Sequence, residues 1–390
     1  MQNPSGSSKT IMMVGFAALT IGVVAWSGHL FTLMALLALP TVFKNAKGPV
    51  QRLAVLSCYY AASIWQVIPG ATQFFGDAAG MHPLSIVVLW LISAVVLTLP
   101  WVWLLLTPRL EAAWALPIGL CLTALLPTGV VNPLTVAGVL FPGLGWAGFF
   151  LTIILFGTLS RYKTASLISA AVLGTICYLS HPGSPIIASV WQGHDTALGG
   201  SELSKQTPMA LYKAVVYVQE TALDSNAQIQ VFPEGVVNHW TPSAEVFWQS
   251  TYSELKQNHQ SILFGAEENL PHRGHYRNEL LLRGEYTATF QQRIPIPYAM
   301  WRPWDNIGVS IHYFGPSTLA VGRRRVAPII CYEQILVAPI LISIEHHPEV
   351  IVAVANDYWT KGTYIAEIQR SAIEAWSRLF WIPVVSATNR

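Results

Sequence analysis

The sequence predicts a polytopic α-helical membrane bundle followed by an α/β domain, and three observations carry that expectation. Of 390 residues, 53% are hydrophobic and only 11% charged, where a soluble chain averages roughly 25% charged. Nine charged residues fall in 1–182 and thirty-three in 183–390, a shift that puts the boundary near His181-Pro182-Gly183. Beyond it, nearly continuous apolar runs alternate with stretches of helical period, the pattern of buried strands and covering helices.

In residues 1–182, apolar segments lie near 11–26, 30–43, 53–69, 84–106, 113–127, 141–159 and 165–180. Several are shorter than the roughly 20 residues an untilted crossing needs, so the intervening charges decide the topology. Lys9, then Lys44, Lys47 and Arg52, then Arg109, then Arg161 and Lys163 fall on alternate sides of successive segments. The positive-inside rule puts these loops and the N-terminus in the cytoplasm, so that seven crossings deliver residues 183–390 to the other side. Ala25-Trp26-Ser27-Gly28 is a poor cleavage site and a further apolar segment follows at once, which favours an uncleaved first span over a signal peptide. Pro100, Pro117 and Pro142 in or beside spans call for neighbouring helices to satisfy freed carbonyls.

In residues 183–390 the expected strands are 187–191, 229–232, 262–266, 279–282, 326–330, 350–355 and 380–387, with helices over 206–223, 242–258 and 363–379. Ile365, Ile368, Ala372, Ala375, Trp376 and Leu379 recur at helical spacing in the last of these. Chemistry in such a domain belongs at strand ends.

Cys331 stands at such an end, closing the run Ala327-Pro328-Ile329-Ile330, and no other cysteine lies beyond the boundary; Cys58, Cys121 and Cys177 are all in apolar N-terminal segments. Without a partner in its own domain it is an inert buried thiol, an intermolecular bridge or a nucleophile. A candidate base is Glu234, at the end of the similarly built Ile229-Gln230-Val231-Phe232-Pro233. His239, His272, His275, His346 and His347 lack a Cys or carboxylate at ligand spacing and read as loop histidines, so no metal is expected. Arg323-Arg324-Arg325 reads as a solvated turn, and a net charge of +2 gives no support for nucleic acid. No phosphate-binding glycine loop is present. Trp301-Arg302-Pro303-Trp304 and Asp305-Asn306 form an aromatic loop that is either a lid facing the membrane or an exposed turn.

Phe232-Pro233-Glu234, Ile330-Cys331-Tyr332-Glu333, Ala355-Asn356-Asp357-Tyr358-Trp359 and Ser386-Ala387-Thr388-Asn389, in that order behind an apolar bundle, resemble the carbon–nitrogen hydrolase (nitrilase) superfamily. Within it the chain is most similar to the membrane branch, the apolipoprotein N-acyltransferases, and among chains of this layout to conjugal transfer proteins of Ti-type plasmids. The resemblance spans nearly the whole sequence. It implies a nitrilase-like α-β-β-α sandwich on the periplasmic side of a bacterial inner membrane and no cofactor. It also implies a glutamate base, a cysteine that forms a thioester and a lysine that stabilises the oxyanion. Glu234 and Cys331 match the first two, and Tyr332 and Glu333 match residues flanking the nucleophile, with substrate binding as the implied role.

The lysine has no counterpart. The acyltransferases carry it in a segment resembling Tyr-x-Lys-x-His-Leu-Val-Pro-Phe-Gly-Glu, whose equivalent here is Phe290-Gln291-Gln292-Arg293-Ile294-Pro295-Ile296-Pro297-Tyr298-Ala299-Met300. Its position falls on Gln292 or Arg293, and that of the trailing glutamate near Met300. Arg293 is the substitute electrophile of the catalytic reading, although a guanidinium fork is no replica of an ammonium. With Asn389-Arg390 closing the sequence, the further strands and last membrane helix of the acyltransferases are expected to be missing. Two functions follow. One is a membrane-bound acyltransferase or amidase acting on membrane lipid or an acylated substrate; the other is a catalytically impaired accessory of the conjugative transfer machinery.

Overall fold

A computed structural model of the protein describes residues 4–79, 81–127, 129–198, 208–270, 274–302, 304 and 308–390. His272, Pro303 and the Asp305-Asn306 pair lie outside the described residues. The chain gathers into two units. One comprises Met1–Ser184 with Ile335–Ala338 and Gly362–Trp381, the other Pro185–Gln334, Pro339–Lys361 and Ile382–Arg390.

In the first unit every one of the seven apolar segments is helical. Pro83–Leu106 and Lys163–Ser180 are long and apolar enough to cross a membrane, and Pro49–Ser63 with Val67–Phe75 makes a third if the pair, bent by 50°, is one span. Ile11–Ala25, Leu30–Asn45, Ala112–Ala124 and Gly145–Leu159 are shorter. A fifteen-residue helix rises only about 22 Å against a hydrocarbon core of about 30 Å. Several buried polar groups inside the unit pair with one another, as an apolar surrounding favours. Trp26 Nε1 donates to the Tyr59 hydroxyl at 2.9 Å, which donates to the Val131 carbonyl at 2.6 Å. Asn132 Nδ2 donates to the Leu120 carbonyl at 3.1 Å. The amphipathic helix Ile365–Phe380 belongs to this unit, burying Ile368, Ala372, Trp376 and Leu379.

The second unit is built on two sheets. β1 (Trp191–Gly193), β2 (Ile229–Val231), β3 (Val237–Trp240), β4 (Ser261–Asn269), β5 (His275–Gly284), β6 (Ala288–Gln291) and β7 (Gly308–Val309) form the larger. Its order is β1-β2-β4-β5-β6, with β3 also on β4 and β7 on β5. β8 (Leu319–Val321), β9 (Arg324–Ile330), β10 (Val350–Asn356) and β11 (Val384–Asn389) form the smaller, in the order β11-β10-β9-β8. β9, β10 and β11 run parallel, joined by the helices Val337–Glu345 and Ile365–Phe380, the long crossovers that parallel strands need. Parallel pairing explains why β9 and β10 read as unbroken apolar runs.

Val231, Leu263 and Leu280 of the larger sheet and Val326, Val352 and Val385 of the smaller share one buried cluster. A second cluster joins Phe264 and Ile262 of β4 to Val218 and Ala222 of helix Pro208–Asp224 and Leu255 of helix Gln249–Gln257. Within this unit the layers are helix, sheet and sheet.

Residues 335–338 and 362–381, expected within the second domain, gather with the first unit, so the second shows three layers of the expected α-β-β-α sandwich; the other differences are local. The strand expected at 187–191 begins only at Trp191, and the one expected from 380 begins at Val384. Phe380 ends a helix instead, closed by Trp381 in the left-handed region at φ 54°. The helix expected over 242–258 is two, Pro242–Phe247 and Gln249–Gln257. β3, β6, β7, β8 and helix Val337–Glu345 have no counterpart in the expected set. The four strands are two to four residues long, too short to show alternation.

Candidate active site

Glu234 owes its place to an interruption in the larger sheet. β2 pairs with the start of β4 and β3 with its end, so residues 232–236 leave the ladder between them. This turn is pinned by the Phe232 amide donating to the Leu263 carbonyl (2.8 Å) and the Gly265 amide donating to the Pro233 carbonyl (3.0 Å). The contact needs glycine in β4: a Cβ on Gly265 would lie 2.5 Å from Glu234 Cα and 2.4 Å from the Gly235 nitrogen. Glu234 is thereby turned into the interior, 4% exposed.

Cys331 follows β9 directly. It takes the left-handed region at φ 50° as the chain breaks from strand into a 3-10 turn, Cys331–Ile335. For a residue with a Cβ this conformation costs on the order of 1–3 kcal/mol, and strained strand-end turns of this type present nucleophiles. Cys331 is 2% exposed, and its thiol is within hydrogen-bonding reach of the Glu234 carboxylate. The structure thus brings the two sequence-derived candidates together.

Three further residues complete the surroundings of Glu234. Asn278 Nδ2, on β5, donates to Glu234 Oε1 at 2.5 Å and to Gln292 Oε1 at 2.9 Å. Gln292 Nε2 donates to the Ile330 carbonyl at 3.3 Å. The Asn356 amide, at the end of β10, donates to Glu234 Oε2 at 3.0 Å. Burial pushes the Glu234 carboxyl up to about 7 against the opposing hydrogen bonds of Asn278, Cys331 and Asn356. Burial and then the charges of Glu234 and Asp357 push the Cys331 thiol well above its ordinary range. The resting pair is therefore a thiol beside a carboxylate that exchanges its proton near neutrality, the condition for general-base activation.

Arg293 and Glu333 meet one another. Glu333 is fully buried, and its carboxylate accepts from three backbone amides: Arg293 (2.8 Å) and Ile294 (3.0 Å) on Oε1, and Ile330 (3.1 Å) on Oε2. Arg293, 2% exposed, sets Nε 3.7 Å from Glu333 Oε1 and its guanidinium carbon 5.7 Å from the centre of the Phe290 ring. Of the two positions considered for the lysine, Gln292 is the one bonded into the Glu234 cluster. Tyr332 lies in the same 3-10 turn, and burial raises its hydroxyl.

Sequence reasoning did not single out Asn278, Glu267 or Tyr276. Glu267 of β4 lies directly opposite Asn278 of β5, so both side chains leave the sheet on one face. Burial pushes Glu267 up to about 7. Tyr276 and Tyr358 each feel both Glu267 and Glu234; burial foremost, then these charges, raises Tyr276 and pushes Tyr358 up to about 12. Asn278 sits in the polar stretch Arg277-Asn278-Glu279, where nothing short of the β4–β5 register tells which residue faces inward.

No protein-family profile matches the chain. It is 31% identical over 407 aligned residues to a probable conjugal transfer protein TraB of Sinorhizobium fredii, covering 97% of each chain. To the conjugal transfer protein TraB of Agrobacterium fabrum it is 30% identical over 396 residues, covering 95% of this chain and 91% of that one. Among solved structures, an amidase from a Nesterenkonia species aligns at 15% identity and a TM-score of 0.34, covering 53% of this chain and 79% of that one. A CN-hydrolase superfamily protein of Xanthomonas campestris aligns at 15% identity and a TM-score of 0.35, covering 50% and 73%. At such TM-scores the structural likeness is loose.

Proposed function

Since the chain belongs to the TraB family of conjugal transfer proteins, we propose that it is a membrane-bound component of plasmid transfer that performs thiol-dependent acyl transfer or amide cleavage. The observation that carries this reading is the strained, buried Cys331 beside the buried Glu234 carboxylate, whose charge acts on its thiol. In the first step Cys331 Sγ passes its proton to Glu234 and attacks a carbonyl carbon, whose π electrons move to oxygen. The tetrahedral intermediate collapses, breaking the bond to the amine or alcohol, which leaves with the proton from Glu234. A thioester remains on Cys331. An incoming amine or water gives its proton to Glu234, attacks the thioester and expels the thiolate, which recovers that proton.

Glu333 ties the nucleophile turn to the Ile330 amide, and Arg293, in the segment after β6, balances its charge. Tyr332, adjoining the nucleophile, is the substrate contact in this reading. The apolar first unit is read as a seven-crossing bundle of the bacterial inner membrane, with residues 183–390 periplasmic and membrane lipid or an acylated protein as substrate. The alternation of basic loops supports that topology.

Alkylation of Cys331 tests the chemistry. Iodoacetamide labelling at pH 7.5, read by mass spectrometry of the Cys331 peptide, is expected to slow at least about tenfold in Glu234→Gln; equal rates in the two proteins sink the reading. That no cation among the described residues is bonded to Glu234 favours a second reading, a transfer accessory without turnover. That reading expects Cys331→Ala to support plasmid transfer as wild type does, while deletion of the protein reduces it.

A further inference from the structure

A chain of hydrogen bonds across four segments leads from the nucleophile's own peptide to its base. From the Ile330 carbonyl, the peptide that leads into Cys331, the path runs through Gln292 Nε2 (3.3 Å), Gln292 Oε1 to Asn278 Nδ2 (2.9 Å), and Asn278 Nδ2 to Glu234 Oε1 (2.5 Å). At its end the Glu234 carboxylate lies beside the Cys331 thiol, on which its charge acts. Gln292 is 0% and Asn278 2% exposed. A second tie holds the two amides together, the Gln292 backbone amide donating to the Asn278 carbonyl at 2.8 Å.

We propose that Asn278 and Gln292 are the positioning pair of this site, an amide relay that orients the Glu234 carboxylate toward Cys331 and sets its basicity without a fixed positive charge. The inference deepens the acyl-transfer reading above and rests on it. The geometry leaves little freedom. Asn278 offers one N–H to each neighbour, so its amide orientation follows from its two acceptors. Gln292 Oε1 accepts that donor, so Gln292 must turn its NH2 to Ile330. Glu234 then has one oxygen held by Asn278 and the other by the Asn356 amide, with the thiol as the remaining contact.

A neutral donor and a cation make different bases of the same carboxylate. An ammonium within about 4–6 Å favours the charged form by about 1–3 pH units, whereas an amide supplies a dipole only. Among the described residues, the titratable groups facing Glu234 are Cys331 from the turn after β9, Asp357 after β10, Tyr276 from β5 and Tyr358, with Glu267 of β4 behind the two tyrosines. Each is neutral or negative at neutral pH. The amide relay therefore leaves Glu234 able to take a proton from the thiol at the pH where the protein works, the behaviour a base needs.

The test is the pH profile of Cys331 alkylation in the full-length protein, in membrane vesicles, from pH 5 to 9. Wild type is expected to gain reactivity through an inflection near pH 7. Gln292→Lys should move the inflection down by at least about one unit, and Gln292→Glu should move it up by a similar amount. Asn278→Leu should lower the plateau rate about tenfold or more, with Asn278→Gln restoring part of it. An unmoved inflection in both charged variants, with Cys331 still labelled, overturns the relay. A wild-type profile in Glu234→Gln overturns the acyl-transfer reading beneath it, while loss of the inflection there beside unmoved Gln292 profiles overturns the relay alone.

Discussion

Two corners of one site each bury a carboxylate, and their surroundings differ in kind. Glu333 is held by three backbone amides with a guanidinium alongside, one oxygen engaged by residues 293 and 294 and the other by Ile330 at the start of the nucleophile turn. Glu234 receives one side-chain amide and one backbone amide, faces a thiol, and among the described residues has no cation bonded to it. Burial alone does not decide whether an acid is structural or chemical. The number and charge of the donors decide it, because donors that are part of the backbone cannot follow a moving proton.

The largest expected effect lies at the structural corner. Glu333→Ala leaves three buried amides without their acceptor and the Arg293 guanidinium without its counter-charge, at a cost of about 3–5 kcal/mol. The melting temperature of the detergent-purified protein should fall by roughly 10 °C. A fall below about 2 °C would mean that Glu333 is not the brace described.

The chemical corner should answer to pH instead. The folded Glu234 carboxyl stands at about 7 against 4.5 in its ordinary state. A raised carboxyl contributes stability in full below pH 4.5 and loses it as pH rises through 7. Glu234→Gln does not titrate, so between pH 4.5 and pH 8 it should gain on wild type by about 3 kcal/mol, seen as a widening difference in melting temperature. A difference that stays constant across that range breaks the contrast between the corners.

The smallest effect belongs to a carboxylate that is neither. Glu268 pairs with Arg277 at 2.8 Å with side chains 41% and 42% exposed. Arg277→Ala should change stability by no more than about 0.5 kcal/mol in a urea or thermal melt, and less in high salt. A larger loss would show that this end of the β4–β5 ladder is more tightly coupled to the site than its exposure implies.

Much of this protein is written in its order of residues. Composition and the jump in charge near residue 182 separate the apolar from the polar part of the chain, because transfer of apolar and charged groups between solvents is a property of each side chain. The apolar runs of β2, β4, β9 and β10 and the period of helix Ile365–Phe380 are equally local signals. Cys331 and Glu234 are visible as reactive types closing apolar strands. What surrounds them is not, since Asn278, Gln292 and Glu267 reach the site through strand register, and a register shift of one residue would turn each of them to the other face. Only the folded pairing of distant segments determined that Glu234 is bonded by amides, that Arg293 answers to Glu333, and that the sulfur and its base meet. Local chemistry supplies the residues, while their protonation and partners are properties of the interior that the whole chain encloses.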